Sequence, residues 1–452
     1  MSDAPGYVND TIVARATPPG TGGIAVIRVS GPLVPHIAVR MLGRLPPPRE
    51  ALLCTFRDAG QQMLDRGIAL YFPQPHSFTG ESVLELHGHG GPVVVSGLVD
   101  AAVELGARRA EPGEFTKRAF LNDKLDLAQA EAIADLVSSG SAQAARAALR
   151  SLSGAFSEAI DALQEQLVRL RMHVEAAIDF PEEEIDFLSD QRLLARLDDC
   201  AETFRELMRN AGAGRVLRDG YRAVIVGRPN AGKSSLLNRL SGQEAAIVTE
   251  VAGTTRDVLR EEINIDGLVV ELVDTAGLRS DPDRIEAEGI KRAREAVSQA
   301  DAILWIQDAS DSSPAARAPE EDLPADVPVV VVRNKIDLTG DVAGLLQRDP
   351  PGIAISARTG AGIGALRSLI RDLAGYRDLG EGSFTARQRH IMALHRASRH
   401  FEAGREALER ARAGELLAEE LRLSQQALGE ITGSCTSDDL LGRIFSEFCI
   451  GK

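Results

Sequence analysis

The chain has 452 residues and a formal net charge of −15, with 44% hydrophobic, 26% charged and only 4% aromatic residues. That length asks for roughly two to four domains instead of one core, and no apolar run approaches the ~20 residues that cross a bilayer. An acidic chain is repelled by phosphate backbones at long range, which excludes a general nucleic-acid binder.

Cysteines 54, 200, 435 and 449 are scattered without C-x-x-C spacing. They make neither a disulfide framework nor a zinc ribbon and suit a reducing cytosol. The start "MSDAPGYVND" has no basic segment followed by an apolar one, so no signal peptide is expected and the expected location is the cytoplasm.

Residues 1–122 mix short β-like runs with turns, as in "GGIAVIRVSG", "GIALYFPQPHSFTG" and "SVLELHGHGG". His87 and His89, two apart beside glycines, are expected in a turn, and a metal site there is the less favoured alternative. Residues 123–219 read as helices, with apolar positions three and four apart in "LAQAEAIADLV" and "AFSEAIDALQEQLVRLRMHVEAAIDF". Residues 220–378 alternate apolar strands ("YRAVIVG", "GLVVELVDTAG", "DAILWIQDAS", "VPVVVVRNKID", "GIAISAR") with helices, the pattern of a parallel sheet covered on both faces. The helical texture returns over 379–452. A short helical tail buries little by itself, so the expected fold is one discontinuous helical domain with the α/β domain inserted into it. Within that tail "ARQRHIMALHRASRH", residues 386–400, is basic; a solvated helix face is the favoured reading over an RNA-docking one.

The chemistry lies in the inserted domain. "GRPNAGKS", residues 227–234, follows a strand and opens the helix "SSLLNRLSG", the setting that a phosphate-binding loop requires. Backbone N–H groups of Asn230, Ala231, Gly232, Lys233, Ser234 and Ser235 can wrap phosphate oxygens at a helix N-terminus. Lys233 is placed to reach the β- and γ-phosphates and the Ser234 hydroxyl to ligate Mg²⁺.

Companion motifs follow in order. "TEVAGTTRD" supplies a switch segment through Thr249, Glu250, Val251, Ala252, Gly253, Thr254 and Thr255, of which Thr255 is the expected Mg²⁺ and γ-phosphate ligand. "DTAG" (Asp274, Thr275, Ala276, Gly277) puts Asp274 in the outer shell of the metal and the Gly277 N–H on the γ-phosphate. "NKID" (Asn334, Lys335, Ile336, Asp337) offers the Asp337 carboxylate to the N1–H and N2–H₂ of guanine, a pair adenine lacks. "SAR" (Ser356, Ala357, Arg358) brings the Ala357 N–H to guanine O6. Five elements in this order make a GTP-binding switch domain with Lys233 and Thr255 among its catalytic groups. Leu278 stands where Ras-like domains carry a water-orienting glutamine. Spacing alone does not choose a substitute among Asp281, Asp283, Glu286 and Glu288.

The stretches "GRPNAGKSSLLN", "AIVTEVAGTTRD", "DTAGLR", "VVRNKID", "SARTG", "TIVARATPPGTGGIAVIRVSG", "SFTGESVLELHGHGGP" and the final "TSDDLLGRIFSEFCIGK" resemble the MnmE/TrmE family of bacterial tRNA modification GTPases, essentially over the full length. The resemblance implies an N-terminal α+β domain that binds folate and dimerises, a split helical domain and an inserted Ras-like G domain. It implies GTP-dependent addition of an aminomethyl or carboxymethylaminomethyl group at C5 of the wobble uridine, with an FAD-containing GidA partner and a methylene- or formyl-tetrahydrofolate one-carbon donor. It further implies K⁺ at Asn230, Thr249, Val251 and Thr254, water positioning by Glu286, and folate contacts at Arg28, Glu85, Lys124 and Lys452.

A regulatory GTPase switch without modification activity is the competing expectation, because the same motifs serve both. Flanking sequence favours the modifying enzyme. The ending "FCIGK" puts Cys449 where a prenyl acceptor lies, but Gly451 and Lys452 do not fit that signal. Leu440, Leu441, Ile444, Phe445 and Phe448 share one helical face behind a Ser437 cap, so the expected role of Cys449 is positional ahead of catalytic.

Overall fold

A computed structural model describes residues 10–179, 191–228, 230–241, 260–265, 268–274, 300–311, 327–348, 350–375, 383–435, 438–446 and 448–451. They fall into two compact units. One comprises Met1–Ala134, Leu152–Leu193 and Arg396–Lys452; the other comprises Asp135–Ser151 and Leu194–His395.

The first unit holds a six-stranded sheet built from β1 (Ile12–Arg15), β2 (Gly22–Ser30), β3 (Leu52–Arg57), β4 (Met63–Phe72), β5 (Val83–Gly90) and β6 (Arg108–Arg109), in the order β3-β4-β5-β2-β1-β6. Neighbouring strands are antiparallel except β1 and β6. Alternation in β2 sends Ala25, Ile27 and Val29 into a core with Leu84, Leu86, Ala69 and Phe56, closed by the helices Val34–Leu42 and Pro92–Glu104. The opposite parity faces out: Leu53 pairs with Ile68, Ile68 with His87 and His87 with Val26, a row across four strands.

His87 and His89 are strand residues of β5, not turn residues as the sequence suggested. Glycine serves the pleat here: a Cβ on Gly88 would stand 2.5 Å from Asp65 Oδ2, and one on Gly90 would overlap the Gly22 carbonyl. His89 is committed to Asp65 through its ring and its backbone N–H. No cluster of three or more metal-ligating side chains occurs among the described residues.

The helix Gln388–Ala411, whose residues from Arg396 onward belong to this unit, forms a hairpin with the helix Gly414–Thr432. A Cβ on Gly404 would press to 3.0 Å on Leu417 and Glu420, so this crossing needs glycine. Most of the expected apolar face is found in the helix Asp438–Ser446, where Leu441, Ile444 and Phe445 bury against Leu127 and Ala130 with Leu440 and Phe120 partly buried beside them. Phe448, expected on the same helical face, lies beyond the helix end but joins the same cluster. Ser437 lies outside the described residues.

The basic stretch 386–400 is less solvated than expected. Arg387 and His390 are buried, Arg396 pairs with Glu430 and His400 with Glu420. None of the described helices is long and apolar enough to cross a membrane.

The second unit holds β7 (Tyr221–Gly227), β8 (Arg260–Ile265), β9 (Leu268–Asp274), β10 (Ala302–Asp308), β11 (Val329–Asn334), β12 (Gly344–Leu346) and β13 (Gly352–Ala354), in the order β12-β13-β11-β10-β7-β9-β8. The five inner strands are parallel, and only the edge strands β8 and β12 run antiparallel. Continuous burial of Ala302 through Ile306 shows both faces covered, as the uninterrupted apolar runs predicted.

A buried ion cluster locks the N-terminal sheet to the helix Glu114–Leu121. Arg118 reaches Asp10, Glu81 and Glu114, and Arg108 shares Asp10 and Glu114. Burial pushes the Glu114 carboxyl up, but hydrogen bonds from Arg108, the Glu111 backbone and Arg118 outweigh it and pull the pKa from 4.5 to about 2. A depressed carboxylate stabilises the fold fully above its ordinary pKa and loses that contribution as pH falls through the folded value. Thermal melts should therefore show stability declining as pH drops from about 4.5 towards 2, and Glu114→Gln should lower the melting temperature at pH 7 while flattening that decline.

Candidate functional site: a phosphate and base pocket at the strand ends

The C-terminal ends of the parallel strands carry the predicted residues, where open α/β sheets bind ligands. β7 ends at Gly227, β9 at Asp274, β10 at Asp308 and β11 at Asn334, while Ser356 follows β13. Between Gly227 and the helix Lys233–Ser241 the chain makes a tight loop with Asn230 at φ 65° and Gly232 at φ 94°. Lys233 is buried, its Nζ donating to the Gly227 carbonyl at 2.7 Å and the Arg228 carbonyl at 2.9 Å. The ammonium thus folds over its own loop, while Ser234 and Ser235 open the helix exposed to solvent.

Asn334 links this loop to the segment that follows β13. Its side chain is only 2% exposed. Nδ2 donates to the Ala231 carbonyl at 3.0 Å, and Oδ1 accepts from the Ala357 N–H at 3.0 Å. A Cβ at Gly232 would collide with this carboxamide. Lys335, in a left-handed conformation at φ 68°, sends Nζ to Asp308 Oδ2 at 2.7 Å. Burial pushes the Asp308 carboxyl up, but bonds from Lys335 and Ser310 outweigh it and hold it below the usual range.

Asp337 accepts from the Ser356 hydroxyl at 2.7 Å on Oδ1 and meets Arg358 Nε at 3.3 Å on Oδ2. The Arg358 side chain is 78% exposed, yet its backbone is fixed by Arg239, which donates to the carbonyls of Ala357 and Arg358. Arg239 and the Asn334 staple were not singled out from sequence; each acts across more than twenty residues of chain.

The structure therefore brings together Asn230 to Ser235, Asn334, Lys335, Asp337, Ser356, Ala357 and Arg358. For Asp274 only its place at the end of β9 is described. Thr249 to Thr255, Thr275 to Gly277, Leu278 and Glu286 lie outside the described residues, as does Lys452.

A second constellation occupies the outward face of the N-terminal sheet. Arg28 and Glu85 are register partners, Arg28 Nε donating to Glu85 Oε1 at 2.9 Å, and His87 Nε2 lies 3.3 Å from Glu85 Oε2. The Arg28 guanidinium sits 5.6 Å from the Phe78 ring centre and 5.7 Å from that of Phe115, close enough for cation–π attraction. Two residues beyond Phe78, a Cβ on Gly80 would meet Lys124 Cε at 3.2 Å, so Lys124 lies beside the same loop. A cation, a carboxylate and aromatic faces suit a planar heterocycle with amide-like donors. Phe78 and Phe115 carry no sequence signal of their own, and His87 stood out only beside His89, not as a partner of Glu85.

The C-terminal stretch approaches this region too: Ile450 bridges to Pro112, and the Cys449 carbonyl accepts from the Gly113 N–H at 3.4 Å. Gly451, at φ 97°, packs on the Arg15 carbonyl where a Cβ would overlap. Cys449 is exposed.

Known proteins resemble this chain over nearly its full length. Residues 11–124 match the model of the GTP-binding protein TrmE N-terminus, and residues 127–449 match that of the MnmE helical domain. The tRNA modification GTPase MnmE of Pseudomonas syringae pv. tomato is 57% identical over 98% of this chain and 99% of its own. That of Proteus mirabilis is 55% identical over 99% and 100%. Among solved structures, the G domain of the Thermotoga maritima FeoB iron transporter aligns with 34% of this chain at 20% identity and a TM-score of 0.25.

Removal of the Asn334 carboxamide leaves the Ala357 N–H and the Ala231 carbonyl without their buried partner, at about 1–3 kcal/mol. Asn334→Ala should weaken binding of a fluorescent guanine nucleotide roughly ten-fold, measured by titration, with little change in the pH stability of the N-terminal unit.

Proposed function

Because the chain belongs to the MnmE family of tRNA modification GTPases, we propose that it hydrolyses GTP in order to modify the wobble uridine of tRNA at C5, together with a GidA-type FAD protein. The observation that carries this reading is identity of 57% extending over 98% of the chain, including both flanks of the nucleotide domain. The division into residues 1–122, 123–219, 220–378 and 379–452 goes with it as part of the proposal.

In the pocket, Asn230 to Ser235 wrap the phosphates and Lys233 neutralises them. The Ser234 hydroxyl, exposed at the helix start, suits a hard cation, and Ser234 and Thr255 hold Mg²⁺ with Asp274 in the outer shell. Asp337 reads guanine through two hydrogen bonds while Ser356 keeps its carboxylate aimed, and Ala357 contacts O6. Asn230, Thr249, Val251 and Thr254 hold K⁺ where paired G domains meet, and Glu286 positions water in place of the glutamine absent at Leu278. A cation there neutralises charge developing between the β- and γ-phosphates.

Arg28, Glu85, Lys124 and Lys452 bind the tetrahydrofolate one-carbon donor. Arg28 under Phe78 and Phe115 with Glu85 alongside fits its pterin ring. The donor supplies the carbon added to the base. A homodimer is favoured by the outward sheet face, where Leu53 is 61% and Ile68 42% exposed in one cross-strand row. A cytoplasmic location goes with this chemistry.

Mass-spectrometric analysis of wobble uridines in tRNA from cells lacking this chain is expected to show loss of the aminomethyl-type groups. Unchanged uridines with intact GTPase activity would favour a regulatory switch instead. Steady-state GTPase rates should be roughly ten-fold or more higher in K⁺ than in Na⁺, and equal rates refute the cation assignment. Asp337→Asn should cut GTP affinity by about 100-fold and improve binding of xanthosine nucleotides; retained GTP preference would remove Asp337 from the base contact.

A further inference from the structure

Two chain connections lead into and out of the nucleotide-binding sheet. The helix Gln191–Asp219 passes through Gly220 into β7, and residues 383–387 lead into the helix Gln388–Ala411. Both connections meet one carboxylate. Asp135, near the end of the helix Leu127–Val137, has a side chain only 4% exposed. Its Oδ1 accepts from Arg218 Nε at 2.8 Å and from Arg387 Nη2 at 2.7 Å, and the Arg387 side chain is 9% exposed.

The surroundings of this carboxylate are fixed as well. The Ser139 hydroxyl donates to the Asp135 carbonyl at 2.7 Å. The Ser151 hydroxyl accepts from the Thr385 N–H at 2.9 Å, Arg150 donates to the Ser383 carbonyl, and the Arg387 N–H donates to His390 Nδ1 at 3.0 Å. The Phe384 carbonyl packs on Gly214 where any Cβ would overlap. On the sheet side, a Cβ on Gly140 would lie 3.6 Å from Val269 Cγ2, and one on Gly220 3.0 Å from the Val269 carbonyl. Val269 belongs to β9, the strand that ends at Asp274.

We infer that Asp135, Arg218 and Arg387 are positioning residues that pin both connections of the nucleotide domain at one buried point, so that a nucleotide-dependent shift of β9 is passed to the helices Leu127–Val137 and Gln388–Ala411. Loops with slack would absorb such a shift; connections tied through a buried carboxylate move together, because separating them strips a buried charge of its partner. Val269 supplies the push, lying against Gly140, three residues beyond the helix Leu127–Val137, and against the incoming connection at Gly220. The inference rests on the reading that this domain binds GTP.

Hydrogen–deuterium exchange on the full chain tests it, comparing GDP with a GTP analogue in wild type and in Asp135→Asn. In wild type, residues 227–241 should be protected by nucleotide, and exchange over 135–151 and 388–395 should change several-fold between the two nucleotides. In Asp135→Asn the protection of 227–241 should persist with GDP affinity within about three-fold, while the difference at 135–151 and 388–395 falls to less than a third. An undiminished difference in the variant overturns the inference, as does its absence in wild type while 227–241 is protected. No protection of 227–241 in wild type would instead defeat the GTP reading itself. Should Asp135→Asn fail to fold, Arg218→Lys, which keeps the charge but not the planar fork, decides by the same two outcomes.

Discussion

The proposed nucleotide pocket depends on one buried carboxamide. Asn334 ends β11 with a donor aimed at the phosphate loop and an acceptor aimed at the loop after β13. A backbone group could serve one of these loops; only a side chain with a donor and an acceptor on one planar group ties both in fixed orientation. Several neighbouring groups are arranged around that link. Gly232 must lack a side chain because the carboxamide lies against it. Lys335 is turned into the left-handed region, which swings its ammonium to Asp308, and Asp337 is delivered to the Ser356 hydroxyl. The loop after β7 and the loop after β13 are thereby held at a set separation, which is preorganisation in its simplest form.

Local chemistry was legible in the sequence wherever it follows from neighbours in the chain. The phosphate loop needs glycines, a lysine and a hydroxyl within eight residues, and the parallel strands announce themselves as unbroken apolar runs. The face of the helix Asp438–Ser446 was equally plain, since its apolar residues recur at helical spacing. Two histidines beside glycines misled because glycine suggests a turn. In β5 it instead relieves contact with Asp65 and Gly22 across the sheet, and those partners are unknown until register is known. Arg28 and Glu85 are suggested only by likeness to a family, because 57 residues separate them and nothing local couples them. Phe78 and Phe115, which frame Arg28, had no signal at all.

The stretch "FCIGK" illustrates the same boundary. Its cysteine draws attention as a reactive group, yet the conformational demand falls on Gly451, whose positive φ and contact with the Arg15 carbonyl admit no side chain. The apolar face before it docks on Leu127, Ala130 and Phe120, and the bridge between Ile450 and Pro112 then leads the chain past the start of the Phe115 helix. The cysteine side chain is exposed while its carbonyl is held, so the backbone is what this segment positions.

Buried arginine is the recurring device that turns distant sequence into a defined site. Arg118 joins Asp10 across 108 residues, Arg387 joins Asp135 across 252, and Arg28 joins Glu85 under two aromatic rings. Such pairs add little net stability over well-packed apolar groups, because removing both charges from water offsets the attraction between them. Their contribution is discrimination: a displaced partner leaves a buried charge unmatched, so alternative registers and docking angles are penalised far more than the native one is favoured. A rigid planar fork suits this task better than a flexible ammonium. In the basic stretch 386–400 of this acidic chain, Arg387 is engaged inside the fold and the half-buried Arg396 pairs with Glu430. Positive charge here serves in part to tie distant segments together, as at Arg118 and Arg387, while arginines such as Arg169 and Arg358 face solvent.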